Sequence, residues 1–348
     1  MQAVVLNAPM IYQLKTVKKP TCSKQGLVLK TLACGLCGSD LRILRNGHRN
    51  IRDHWIIGHE IAGEVIETGE KYSGLWKKGD RLAVAPTVYC GSCDFCVAGR
   101  FELCENIKEI AQHWQGGFAE YIAIPEEALN LGAVQKIPDG LSSSVAAIAE
   151  PVSSCINAQE KLSVGLGDTV VIIGSGPIGC IHTSLARIRG AHRIIVADVS
   201  EERLKLCESF TPDFMVNASK IDLVEEVMCL TGSKGADVII TANSVPATQV
   251  QAVEMARKGG RIALFGGLPR EDSKPGIDTN LIHYRGLQLI GTSTFAPRHH
   301  LLALSMFSSG KLKGESLVTH TLPLVKFKEG VKLATEGKAL KVVFIPES

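Results

Sequence analysis

The apolar positions of the chain change rhythm twice. From Met1 to about Pro138 they fall in short β-branched runs broken by glycine, proline and charge, and the runs at 26–32, 61–67, 81–84 and 119–124 predict strands in an irregular, β-rich half. From about Ser142, apolar runs suited to buried strands (169–173, 193–197, 237–241 and 261–265) alternate with helical stretches (178–189, 201–209 and 247–258). Alternation at that interval predicts a parallel sheet with crossover helices. Beyond about Gly291 the pattern gives a helix over 299–309 and a last strand over 340–345, a tail expected to pack back on the first half. Texture alone therefore divides the chain into 1–150 with 291–348, and 151–290.

The second region carries a turn that changes the picture. The apolar run Val170-Val171-Ile172-Ile173 leads at once into Gly174-Ser175-Gly176-Pro177-Ile178-Gly179, and a helix follows. Strand, glycine turn and helix in that order form a dinucleotide-binding pattern: Gly174 for the tight turn, Gly176 for close approach of a pyrophosphate, Gly179 for helix–strand packing. Pro177 and Ile178 open the helix whose N-terminus would face the phosphates. Asp198 ends the next apolar run, where a carboxylate accepts hydrogen bonds from ribose hydroxyls and repels a 2′-phosphate, so NAD is expected over NADP; Arg203 nearby would tolerate a phosphate and is the competing influence.

The first region carries metal-ligand chemistry. Cys90, Cys93, Cys96 and Cys104 form a C-x2-C-x2-C-x7-C run that can close four thiolates around one tetrahedral zinc, a structural site with no position left for water. An iron–sulfur cluster and four unligated thiols are the rival readings. Cys37, His59 and Glu150 offer a second, open set of sulfur, imidazole and carboxylate, with Glu60 either tuning that site or serving as a direct ligand. Zinc there would act as a Lewis acid on an alcohol, and the Ser39 hydroxyl, two residues from Cys37, would take the first step of a proton relay.

Bulk properties narrow the options. A chain of 348 residues with 45% apolar content is long enough for two domains. The formal charge of +3 is small and dispersed, which argues against a nucleic-acid partner. No window approaches the roughly 18 apolar residues of a membrane span, and the first residues lack a secretory pattern, so a cytoplasmic protein is expected. Of the eleven cysteines, Cys22, Cys34, Cys155, Cys180, Cys207 and Cys229 are read as small buried hydrophobes.

The segments Cys34-Gly35-Leu36-Cys37-Gly38-Ser39-Asp40, Gly58-His59-Glu60-Ile61-Ala62-Gly63-Glu64-Val65, the four-cysteine loop, Gly116-Gly117-Phe118-Ala119-Glu120-Tyr121, Glu150-Pro151 and Val170 to Gly179 resemble those of the zinc-dependent medium-chain alcohol dehydrogenase superfamily, in its polyol branch of sorbitol, galactitol-phosphate and threonine dehydrogenase relatives. The resemblance implies an α/β protein: a GroES-like β-rich catalytic domain from both termini around an inserted Rossmann domain with a doubly wound parallel sheet. It also implies a catalytic zinc on Cys37, His59 and a carboxylate at Glu150 or Glu60, NAD as cofactor, a small polyhydroxylated substrate, and a homodimer or homotetramer. A threonine-type dehydrogenase, a zinc-free reductase of the same superfamily and a non-catalytic NAD-binding homologue are the alternatives. One departure stands out: many relatives carry a relay histidine a few residues after the Ser-Asp pair, whereas here Leu41-Arg42 follows Asp40, and Arg42 cannot shuttle a proton. His48 or His54 could substitute. Arg298, His299 and His300, with His113 and Trp114, are the candidate walls of the substrate pocket.

Overall fold

The computed structural model describes residues 1–346. The chain forms two compact units, one of Met1–Ser153 with the segment from Thr294 onward, the other Ser154–Ser293.

The first unit is built on a seven-stranded sheet. The strand Leu27–Gly35 is its centre: it pairs antiparallel with Glu60–Thr68, with Tyr121–Ile124 and with the C-terminal strand Lys341–Ile345. The tail therefore does return to the first half, as its pattern predicts. A parallel strand, Val318–Pro323, edges the sheet beyond Lys341–Ile345. Arg81–Val84 and Val134–Lys136 complete the other side. Three aromatic rings close the core: Phe118 lies 4.8 Å from Phe327 and 5.6 Å from Phe344. A separate hairpin, Gln2–Ala8 with Ile11–Thr16, went unread in the sequence because its second strand buries no residue fully.

The second unit is a six-stranded parallel sheet in the order Phe214–Asn217, Arg193–Asp198, Thr169–Ile173, Ala236–Thr241, Ala256–Leu264, Gln288–Gly291. The order reverses direction between Thr169–Ile173 and Ala236–Thr241. Open sheets of this kind bind ligands at the carboxyl ends of the strands flanking such a reversal. The central strands are apolar throughout, as burial on both faces requires; Val170, Val171 and Ile172 are fully inaccessible.

Two expectations need correction. The helix expected over 247–258 is Pro246–Glu254, and Ala256 already begins the next strand. Helix and strand meet with no glycine or proline between them, so periodicity could not separate them. Of the six cysteines read as buried, Cys34, Cys155, Cys180 and Cys207 are, Cys22 is half-buried and Cys229 is exposed.

Candidate active site and metal centre

Cys37 stands immediately before the helix Gly38–Asn46 and closes a capping box with Asp40: the Cys37 N–H donates to Asp40 Oδ2 at 3.0 Å. Asp40 is completely buried, and its other oxygen lies 3.2 Å from His59 Nδ1. A carboxylate against Nδ1 fixes the imidazole with its proton there and leaves the Nε2 lone pair available. On that side Ser39 Oγ lies 3.5 Å away. Backbone geometry sets the ring's entry: Gly58 has φ +96°, and a Cβ there would meet Phe118 at 2.8 Å and Cys34 Sγ at 2.9 Å.

Glu60 begins the strand Glu60–Thr68 directly opposite Gly35 and is fully buried. Its Oε1 accepts from Lys341 Nζ, which also donates to the Leu36 carbonyl at 3.3 Å. Its Oε2 is buried with no hydrogen-bond partner. A Cβ on Gly35 would sit 2.1 Å from that oxygen, so glycine is what leaves room for the carboxylate. An orphaned buried carboxylate oxygen costs free energy unless something electropositive completes it. Cys37, His59 and Glu60 each offer a ligand atom within 4.8 Å of the others. Thiolate, imidazole and carboxylate at that spacing suit zinc.

The proton balance supports the same fit. Burial opposes a charge on His59, yet the Asp40 carboxylate and the Cys37 sulfur outweigh it and hold the imidazole well above its ordinary pKa. A cation is thus favoured at this position, and a metal ion displaces the proton when it binds. Glu150, in the first turn of the helix Ala149–Lys161, falls outside the 4.8 Å group among the described residues. It is nonetheless near: burial raises its carboxyl to about 7, with His59 pulling it down and Glu60 pushing it further up.

The four cysteines of the loop also converge. Cys90, Cys93, Cys96 and Cys104 place their sulfurs within 4.8 Å of one another, Cys90 and Cys96 at 4.0 Å, and none is in a disulfide. The N–H groups of Ser92 and Cys93 lower the Cys90 thiol to about 5, whereas burial pushes Cys96 up to about 12. Four sulfurs at such short range suit a shared cation. The loop has little else to hold it: its core is Tyr89, Cys96 and Cys104 with Phe101, Ile107 and Leu131 at the edge.

In the second unit, Gly174 has φ +114°, and a Cβ on Gly179 would lie 1.8 Å from the Gly174 carbonyl oxygen, so both glycines are obligatory. Gly176 is different: its φ is −69° and a Cβ would meet nothing within 4 Å. Neither backbone nor packing demands glycine there, which fits a position kept open for a ligand. Helix Pro177–Ile188 begins with proline, and no side chain caps it. Asp198 latches the turn: Oδ2 accepts from the Ser175 N–H at 2.8 Å and hydroxyl at 3.1 Å, while Oδ1 accepts from Ser200 N–H at 3.0 Å. Oδ1 keeps a further lone pair. The half-buried Arg203 bonds through its N–H to Ser200 Oγ at 3.3 Å, and its guanidinium makes no ion pair among the described residues.

The expected substrate-pocket walls fare less well. His299 and His300 are each 1% exposed. His299 Nδ1 accepts the Ala296 N–H, and His300 Nδ1 lies 2.8 Å from Gln135 Oε1; burial lowers His300 to about 3. Both are interior groups, and burial keeps His300 neutral. His113 Nδ1 accepts the Glu109 N–H at 3.0 Å, and Trp114 lines an apolar cavity of about 670 Å³ with Met1, Val17 and Tyr121, a space that none of Cys37, His59 and Glu60 lines. Of the substitute relay groups, His54 Nδ1 is 2.5 Å from Asn7 Oδ1 and His48 Nδ1 accepts from Asn50 N–H at 3.4 Å. Asp40, Gly35 and Lys341 were missed from sequence. The available signals were the Cys37-to-Asp40 capping spacing and a lysine heading the apolar run Val342-Val343-Phe344-Ile345.

Residues 23–139 match the model of the alcohol dehydrogenase GroES-like domain, and residues 177–308 that of the zinc-binding dehydrogenases. The chain is 30% identical to the sorbitol dehydrogenase of Bacillus subtilis over 99% of its own length and 97% of that protein's. The chain belongs to the zinc-dependent medium-chain alcohol dehydrogenase superfamily. Within this family it is also 32% identical to the L-threonine 3-dehydrogenase of Pyrococcus furiosus, covering 96% and 94% of the two chains. The crystal structure of galactitol-1-phosphate dehydrogenase from Escherichia coli superposes with a TM-score of 0.89 at 26% identity, over 99% of this chain and 100% of that one. The protein is accordingly a zinc-type dehydrogenase of the polyol or threonine class with a GroES-like and a Rossmann-type part. No helix of the described residues is long and apolar enough to cross a membrane.

Proposed function

We propose that the protein oxidises a secondary hydroxyl of a polyol or polyol phosphate to the ketone, with NAD accepting the hydride. The observation that carries this reading is the convergence of Cys37, His59 and Glu60 within 4.8 Å, with Ser39 beside His59 and Asp40 behind it. These three residues would hold the catalytic zinc, with Glu150 close behind as an alternate carboxylate; Cys90, Cys93, Cys96 and Cys104 would hold a structural one. Zinc bound there supplies Lewis acidity that lowers the pKa of an alcohol hydroxyl.

The chain's own groups do the rest. Ser39 Oγ accepts the hydroxyl proton and passes it outward to water, since Arg42 cannot carry it. Asp40 holds the His59 ring in one tautomer, and Lys341 donates to Glu60 Oε1 and holds that carboxyl group in place. Gly174, Gly176 and Gly179 with Pro177 and Ile178 cradle the dinucleotide phosphates. Asp198 offers Oδ1 to a ribose hydroxyl, which favours NAD, and Arg203 stands by it. The two units divide these tasks, and the enzyme works in the cytoplasm as a homodimer or homotetramer.

NADH formation followed by absorbance with sugar alcohols, their phosphates, simple alcohols and threonine, before and after chelation, tests the reading. Turnover of polyols or their phosphates that a chelator abolishes is expected, with NADP at least about 10-fold poorer than NAD. Activity confined to threonine or to aliphatic alcohols, or indifferent to the chelator, would reject it.

A further inference from the structure

The arginines of the chain differ in what they touch. Arg187, Arg257 and Arg261 pair with Asp213, Asp237 and Asp168, and Arg193 and Arg285 donate to backbone carbonyls. Arg42, Arg45, Arg49 and Arg52 do none of this: all four are exposed and make no ion pair or side-chain hydrogen bond among the described residues. They crowd into one stretch between the candidate metal ligands Cys37 and His59, so charge that is dispersed over the chain as a whole is concentrated here. The nearby acid groups offer no neutralising partner, since Asp40 is buried and engaged with His59 and Cys37, leaving only Asp53 in the same stretch.

Helix geometry says which of the four stands next to the chemistry. In Gly38–Asn46 the buried residues are Asp40, Ile43 and Leu44, while Ser39 is half-buried and Arg42, Arg45 and Asn46 are exposed. Ser39 and Arg42 are three residues apart, hence neighbours about 5–6 Å apart at Cβ on one face. Ser39 Oγ is in turn 3.5 Å from His59 Nε2. A guanidinium one helical turn beyond the hydroxyl that takes the proton is placed to grip the far end of a substrate whose reacting carbon lies at the metal ligands. A single neutral hydroxyl gives such a group little reason to stay unpaired; a phosphate dianion matches its planar fork of donors.

We propose that the substrate is a polyol phosphate whose phosphate is bound by Arg42, with Arg45, Arg49 and Arg52 supplying a positive field that draws the anion in. This rests on the polyol dehydrogenase reading above and selects within it. The field raises the association rate and weakens with salt; the Arg42 contact sets affinity.

The test uses the zinc-loaded full chain with matched pairs of sugar alcohols and their monophosphates. Wild type is expected to show a kcat/KM at least about 10-fold higher for the phosphate, and Arg42→Gln to raise its KM by about 10- to 100-fold with kcat little changed and with the neutral polyol unaffected. The double variant Arg49→Gln/Arg52→Gln should flatten the salt dependence of kcat/KM for the phosphate only. Calorimetric titration with glycerol 3-phosphate against glycerol supplies a readout independent of turnover, and the heat from the phosphate should vanish in Arg42→Gln. A wild-type preference for the neutral polyol overturns the inference while leaving the dehydrogenase reading intact, as does an equal loss on both substrates in Arg42→Gln. Preference for threonine or another carboxylate overturns both. If no alcohol is turned over, the dehydrogenase reading fails, and Arg42-dependent heat from glycerol 3-phosphate alone would still mark an anion site.

Discussion

At the scale of single residues, the decisive groups are those that hold other groups. Lys341 is 2% exposed, and Glu60, its partner, is fully buried. Removing one member of a buried ion pair leaves an uncompensated charge, so Lys341→Met is expected to lower stability by about 3–5 kcal/mol in urea unfolding of the metal-free protein. The double change Glu60→Gln/Lys341→Met should recover most of that loss. Glu150 makes a prediction of opposite character. Burial raises its folded pKa from 4.5 to about 7. The folded chain therefore holds a proton that the unfolded chain has already released, and stability falls as pH rises through this window. Urea midpoints of the metal-free protein should decline between about pH 4.5 and 7, and Glu150→Gln should remove that part of the slope. These roles were mostly illegible beforehand because they depend on partners distant in sequence: Lys341 meets Glu60 across 281 positions.

At the scale of elements, legibility followed periodicity and glycine. The strand Thr169–Ile173, the glycine turn and the helix after it could be read because each signal is local and they stand in order. The junction at Met255 and the hairpin near the N-terminus could not, since one lacks a breaker and the other a buried second strand. The turn also allows packing and ligand binding to be separated. Gly179→Ala must displace the Gly174 carbonyl and should cost both stability and nucleotide binding. Gly176→Ala meets no protein atom, so its melting temperature should stay within about 2 °C of wild type, while NAD affinity in a fluorescence titration falls by at least about 10-fold. Equal NAD binding in Gly176→Ala would place the pyrophosphate elsewhere.

At the scale of the whole molecule, both metal clusters belong to the unit that the chain enters, leaves and re-enters, and the returning strand Lys341–Ile345 brings the cation that pairs with Glu60. The two clusters differ in what surrounds them. The four-sulfur set offers four ligand atoms and holds a loop with little core, whereas Cys37, His59 and Glu60 offer three beside Ser39 and sit on a sheet that apolar packing already supports. Metal loss should therefore separate into two events. Zinc analysis is expected to give two ions per chain. A chelator that reaches the open site should remove one ion together with all activity and shift the melting temperature by only a few degrees. Stripping the second requires competition with four thiolates, and it should loosen the 90–104 loop, seen as new proteolytic cleavage there and a larger fall in melting temperature. Loss of both ions in one step, with activity tracking the loop's cleavage, would mean that the two sites share one structural role instead of dividing chemistry from support.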